Sequence, residues 1–198
     1  MTSFSHLFDS QLPLINAEPW RPPSYTTEAD ENVLDEHGWE VQAFSFKIPE
    51  LAPYEVEAWD PGYAHMGICT IRFGIVELHQ CDIRSGKQYS KPSATQIAER
   101  VYDLFLGLTN VGYSEHVVME NASFGSPYGQ ANLGLVRGII SGVTVGRGQG
   151  LVFMSPSEYK KAIHGTVKVD YHKLSKHYPD AVAAYALALA RCKQLEAK

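Results

Sequence analysis

The feature that most constrains this chain is a change of hydrophobic period partway along it. VEAWDPG, AHMGICTIRFG and GIVELHQCDIR, between Val56 and Arg84, are short runs rich in Ile, Val and Phe. Their alternation is that of strands in an antiparallel meander. After Ser93 the period lengthens. SATQIAERVYDLFLGL carries apolar residues at 97, 101, 104, 105 and 108, a helical stripe with Ser93 as N-cap and Gln96 at the capping-box position. HVVMEN reads as a short buried strand and Tyr128 to Val145 as a helix, whose Ala131, Gly134, Gly138 and Gly142 predict close packing against a neighbour. LVFMSP is a further strand. SPSEYKKAIHG opens a short helix capped by Ser155 or Ser157, and PDAVAAYALALARCKQLEAK is a final helix with Pro179 in its first turn. The order is three strands, helix, strand, helix, strand, helix, helix. It predicts an α/β mixed sheet, an antiparallel three-strand meander followed by parallel strands, flanked by helices.

Residues 1–53 do not share this pattern. They are rich in proline (Pro13, Pro19, Pro22, Pro23, Pro49, Pro53), contain acidic residues at 30–37, and show no helical stripe of useful length. Phe4, Phe8, Trp20, Trp39, Phe44 and Phe46 call for a surface to bury against. The segment reads as an acidic, Pro-rich arm that wraps the domain or a partner, ahead of a domain spanning 54–198. Charge divides along the same line. Residues 1–60 hold 2 Lys+Arg against 12 Asp+Glu, a net of −10, and residues 61–198 hold 15 against 10, a net of +5. The overall −5 therefore conceals a basic region, which suits contact with a polyanion.

Several classes are disfavoured. No run approaches the ~20 apolar residues of a membrane helix, and the start of the chain has neither secretory nor transit-peptide character. Cys69, Cys81 and Cys192 are odd in number, far apart and without a CxxC pair. A disulfide framework or zinc site is not expected, and a reducing intracellular setting is, cytoplasmic or nucleoid-associated, or within a host cell for a viral protein.

Four polar residues stand where packing would not choose them. Asp60 follows an apolar strand and precedes Pro-Gly; Glu120 ends HVVME; His177 and Asp180 lie three residues apart at the start of the last helix. Each has an ordinary structural account: a turn aspartate, a surface strand end, a loop histidine, a helix-dipole partner. If the strands bearing Asp60 and Glu120 are neighbours and the last helix packs across them, all four converge. Converging carboxylates repel unless a cation neutralises them. Two magnesium ions ~3.5–4 Å apart are a common solution in phosphodiester hydrolysis, and His177 would ligate a metal or manage a proton.

Five segments together resemble RuvC-type Holliday junction resolvases, in the right order from about Tyr54 to Cys192. DPGYAHMGICTI is similar to their opening strand and hairpin, and VVMENASF to an apolar strand ending in Glu. GQANLGLVRGIISGV is similar to a Gly/Ala-rich helix with an L-G-x-x-R-G core (Leu133, Gly134, Arg137, Gly138). SPSEYKKAIHG resembles a segment of P-x-x-V-K-x-x-x-x-G character, and HYPDAVAAYALALARC a closing D/H-x-x-D-A helix. The resemblance implies a ribonuclease H-like fold and Mg2+ bound by Asp60, Glu120, His177 and Asp180, with Mn2+ able to substitute. It implies Lys160, with Lys161, near the scissile phosphate; one of Lys168 and Lys173 would supply a second basic contact, and Arg137 of the L-G-x-x-R-G core is a further candidate DNA contact. Phe124 would stack on unpaired bases, and a homodimer would open a four-way junction. The acidic arm and Asn121, where the family carries Gln, depart from the pattern.

The expectation is a structure-selective endonuclease that cuts branched DNA by two-metal hydrolysis. A non-cleaving binder of branched nucleic acid or protein on the same fold is the alternative. An actin-like phosphotransferase is a third reading, and it lacks the second phosphate loop it would need.

Overall fold

The computed structural model describes residues 39–62, 64–83, 93–109, 114–121, 127–164 and 179–197. In chain order the strands are β1 (Trp39–Lys47), β2 (Val56–Asp60), β3 (His65–Arg72), β4 (Ile75–Ile83), β5 (His116–Glu120) and β6 (Gly150–Met154). The helices are α1 (Ala94–Thr109), α2 (Pro127–Gly146), α3 (Pro156–His164) and α4 (Pro179–Glu196), and a 3-10 turn occupies Pro49–Leu51. The six strands form one sheet in the order β1-β4-β3-β2-β5-β6. β2, β3 and β4 make the antiparallel meander, and β5 and β6 add in parallel beyond β2. This is the order the hydrophobic pattern predicts.

The sheet also takes in residues from the span read as an arm. β1 pairs with β4 over its whole length, Trp39 opposite Ile83 through Lys47 opposite Ile75. The nine-residue run WEVQAFSFK shifts its apolar phase between Ala43 and Phe44, so its strand character depends on the ladder that β4 supplies.

Each face of the sheet carries its own core, because successive side chains of a strand point to opposite faces. Val56, Ala58, Cys69, Ile71, Val76, Leu78 and Val118 pack against α4. Trp59, Met66, Ile68, Cys81, Val117 and Met119 pack against Ile97, Val101 and Leu104 of α1 and Val136 and Ile140 of α2. α4 is buried on nearly every side from Ala181 to Cys192, as befits a helix apolar all round. Its many alanines let it lie close to the sheet.

Local signals set the boundaries. Ser93 and Gln96 form a reciprocal capping box, the Gln96 amide N–H on Ser93 Oγ at 3.2 Å and the Ser93 N–H on Gln96 Oε1 at 2.9 Å. Of the two candidate caps for α3 it is Ser155 that serves, in a second box with Glu158. The β3–β4 hairpin turns through Phe73 (φ 51°) and Gly74 (φ 76°), the two positive-φ positions of a tight two-residue turn. Among the described residues nothing packs on the small residues of α2: a Cβ added at Gly134, Gly138 or Gly142 would meet none of them within 4 Å, and Ala131 is exposed. α2 buries its Val136/Ile140 stripe and turns the small residues outward. No described helix is long and apolar enough to cross a membrane.

Candidate active site

Asp60 and Glu120 are the last residues of the parallel strands β2 and β5. Those strands run in register, with Trp59 beside Met119, so the two carboxylates reach the same level of the sheet. Alternation places both on the α4 face, since Val56, Ala58 and Val118 belong to the core beneath α4. The C-terminal ends of parallel strands are where an α/β sheet presents a site.

Asp180 arrives from the other end of the chain. Asp60 pairs across β2–β3 with Gly67, and the first turn of α4 lies directly on Gly67, where a Cβ would overlap the Asp180 carbonyl. Glycine permits this backbone approach, and the approach brings Asp180 beside Asp60. On the other flank Glu120 pairs with Met154 of β6. The chain then turns at Ser155 into α3, which carries Tyr159 and Lys160. The Tyr159 hydroxyl donates to Glu120 Oε2 at 3.1 Å.

The electrostatics reflect this proximity. Burial, and then the charges of Glu120 and Asp180, push the Asp60 carboxyl well above the usual carboxylate range, opposed by Arg137 and Lys160. Burial also raises Glu120, while the Tyr159 hydrogen bond and the charges of Arg137 and Lys160 pull it back. Burial lowers the guanidinium pKa of Arg137, and Glu120 and Asp60 raise it. The Arg137 Nε is buried without a hydrogen-bond partner among the described residues. Three carboxylates and two cationic side chains from β2, β5, α4, α2 and α3 therefore share one electrostatic environment. Arg137, expected as a DNA contact, faces the carboxylates. Lys161 is exposed on α3. His177, Phe124, Lys168 and Lys173 lie outside the described residues.

An all-oxygen donor set of half-buried, mutually repelling carboxylates suits a hard divalent cation such as Mg2+ or Mn2+. Asp60, Glu120 and Asp180 would hold it.

Other polar residues around the site escaped the sequence reading. Gln80, on β4, donates from Nε2 to Asp180 Oδ2 at 2.7 Å and to Asp82 Oδ1 at 2.9 Å. Asp82 Oδ1 also lies 2.7 Å from His65 Nδ1, its cross-strand partner. His65, Asp82 and Asp180 each bring a potential ligand atom within 4.8 Å of the others. The signal was present in the alternation: Gln80 occupies a core-facing position after Leu78, where an apolar residue is expected. Glu57 is the counterexample. It too is a buried carboxylate of β2, but it points to the α1/α2 face, accepts a bond from Trp59 Nε1 at 2.6 Å and takes no part in the site.

The sheet order, strand directions and flanking helices define a ribonuclease H-like fold. RuvC of T. thermophilus in complex with a Holliday junction substrate superposes with a TM-score of 0.57 at 18% identity, covering 73% of this chain and 96% of that one. Another Thermus thermophilus RuvC structure gives 0.56 at 17% identity, over 72% and 95%. The yeast mitochondrial Holliday junction resolvase gives 0.53 at 10% identity, over 72% and 79%. No protein-family model matches the chain, and no curated protein matches its sequence. At these identities the likeness establishes the fold.

Proposed function

We propose that this chain is a structure-selective, metal-dependent endonuclease that cuts Holliday junctions or other branched DNA. The observation that carries this reading is the convergence of Asp60, Glu120 and Asp180 at the C-terminal ends of β2 and β5, with Arg137 and Lys160 in their field. The branched substrate is suggested by the structural neighbour bound to a Holliday junction.

Two divalent cations, when bound, would supply a water activated at neutral pH and charge stabilisation for the leaving oxygen. The chain's own residues prepare for this in defined ways. Asp60, Glu120 and Asp180 bring carboxylate oxygens from two strands and a helix to one end of the sheet, and a bound cation would draw them together. Tyr159 orients Glu120 through one of its oxygens. Lys160 follows Tyr159 on α3 and places an ammonium where negative charge accumulates on the transferring phosphate. Arg137 moderates the carboxylate charge from the opposite flank. His177, in our reading, ligates a cation or handles the proton of the attacking water or leaving group. Two copies of the chain would present paired sites to the two-fold symmetry of a four-way junction.

The test is a synthetic four-way junction incubated with the purified chain, with and without Mg2+, beside flap and linear duplex controls. Mg2+-dependent paired nicking of the junction is expected, and Asp60→Asn or Glu120→Gln should reduce it to at most about 1% of wild type while junction binding persists. A non-cleaving binder would retain the junction and never nick it. Full cleavage by the double variant would sink the reading.

A further inference from the structure

We propose that Gln80 is a positioning residue that fixes the Asp180 carboxylate relative to the strands carrying Asp60 and Glu120; the proposal rests on the nuclease reading above. Gln80 is 1% exposed and lies outside all five segments that resemble the resolvases. Its amide is used at every valence. Nε2 donates to Asp180 Oδ2 at 2.7 Å and Asp82 Oδ1 at 2.9 Å, and Oε1 accepts the backbone N–H of Asp180 at 3.2 Å and of Ala181 at 3.0 Å.

A primary amide has two N–H groups and one oxygen with two lone pairs, so this side chain is saturated. Its orientation is thereby determined. Exchanging O and N would set N–H against N–H at the helix and oxygen against oxygen at both carboxylates. One side chain therefore ties both the backbone and the carboxylate of Asp180 to β4. Asp180 is removed from the freedom that an aspartate in the first turn of a helix ordinarily has.

The choice of a neutral donor also matters. A lysine or arginine in this place would pair with Asp180 and cancel the charge that a cation needs. An amide restrains the carboxylate without adding a charge of its own. Partners of this kind around a metal ligand typically contribute ~10–100-fold to metal affinity or activity.

The experiment uses the full chain and Gln80→Met, which matches the side chain in length and makes none of the four bonds. Mn2+ binding is measured by calorimetry without DNA, together with single-turnover cleavage of a four-way junction across Mn2+ concentrations. Junction binding in EDTA and thermal unfolding are followed in parallel. The expected result is Mn2+ binding about 10-fold weaker and cleavage at sub-saturating Mn2+ lower by about 10–100-fold, with junction binding unchanged. In an Asp180→Asn background the same substitution should produce no further weakening of Mn2+ binding, because both act through one carboxylate.

Gln80→Glu is the second variant. It keeps an acceptor for the two backbone N–H groups and replaces the donor to Asp180 and Asp82 with an oxygen that repels both carboxylates, so it retains the helix-end bonds that Gln80→Met removes. Its cleavage at saturating Mn2+ should fall by about 10-fold or more. Either folded variant matching wild type within about twofold in both Mn2+ affinity and rate would overturn the proposal. So would a lowered unfolding temperature with wild-type Mn2+ affinity, which would make Gln80 a helix cap alone. A wild-type chain that neither binds Mn2+ nor cuts would instead remove the nuclease reading, and this proposal with it.

Discussion

Gly67 and Asp180 touch backbone to backbone: the first turn of α4 rests on β3 so closely that no other residue fits at position 67 without moving one of them. Because Gly67 is also the cross-strand partner of Asp60, this contact sets where the C-terminal carboxylate stands relative to the first one.

Gly67→Ala should accordingly act on both stability and the site. The added methyl meets backbone atoms of Asp180 and Ala181, which cannot yield as a flexible side chain would. A loss of ~2–4 kcal/mol is expected, measured by urea unfolding, with weaker Mn2+ binding by the fraction that stays folded. A variant of wild-type stability would show that α4 can lift freely from the sheet.

Asp60→Asn should stabilise the protein while destroying activity. The Asp60 carboxyl is raised by burial and by its acidic neighbours. A folded-state pKa above the unfolded one contributes stability that is complete below the unfolded value and lost as pH rises through the folded one. Without divalent cations, the variant should exceed wild type by ~1–3 kcal/mol at pH 8, with the gap closing toward pH 4. Urea titrations in EDTA at the two pH values check this, and a less stable variant at pH 8 would contradict it.

Tyr159→Phe removes the hydroxyl that bonds Glu120 at 3.1 Å. That bond lowers the Glu120 pKa, so its loss should raise it and move the acidic limb of the cleavage pH profile to higher pH. A reduction in rate of about 10-fold is expected at neutral pH, in line with ~1.5 kcal/mol for a bond to a charged group. An unshifted profile would mean that Tyr159 only fills space.

Lys160→Met tests the charge beside the carboxylates. If Lys160 stabilises the transferring phosphate, kcat should fall about 10²-fold while junction affinity changes far less. A loss of affinity with unaltered kcat would reassign it to binding the DNA backbone.

His79 predicts a pH dependence unrelated to the site. Burial holds its imidazole down to about 4, from 6.5 in the open chain, and its Nδ1 is buried without a hydrogen-bond partner among the described residues. The unfolded chain takes up the proton first, so stability present above the unfolded value is lost as pH falls toward the folded one. A decrease of ~1–2 kcal/mol from pH 7 to pH 5 is expected from this residue, and His79→Leu should remove it from unfolding curves measured at both values.

Most of the element order was legible from the sequence because periodicity and capping are local. The meander from Val56 to Ile83, the boxes at Ser93 and Ser155 and the start of α4 at Pro179 all follow from neighbours within a few residues. Asp60 and Glu120 stood out for the same reason, each a charge closing an apolar strand, and Asp180 as a charge opening the apolar last helix. What local reasoning missed were residues whose role depends on a distant partner. β1 is an edge strand because β4 offers it a ladder. Gln80 bonds to residues 100 and 101 positions away. Tyr159 takes its function from a carboxylate 39 residues earlier, and the glycines of α2 face outward because Val136 and Ile140 claim the core.

The convergence of the carboxylates belongs to the tertiary structure alone. The sequence by itself determined which residues are acids at strand and helix ends, through short-range pattern and chemistry. Only the packing of α4 onto Gly67, and the parallel register of β2 with β5, decided that these acids share one site. Contacts between residues more than 50 positions apart depend on how faces meet, and no local period records that.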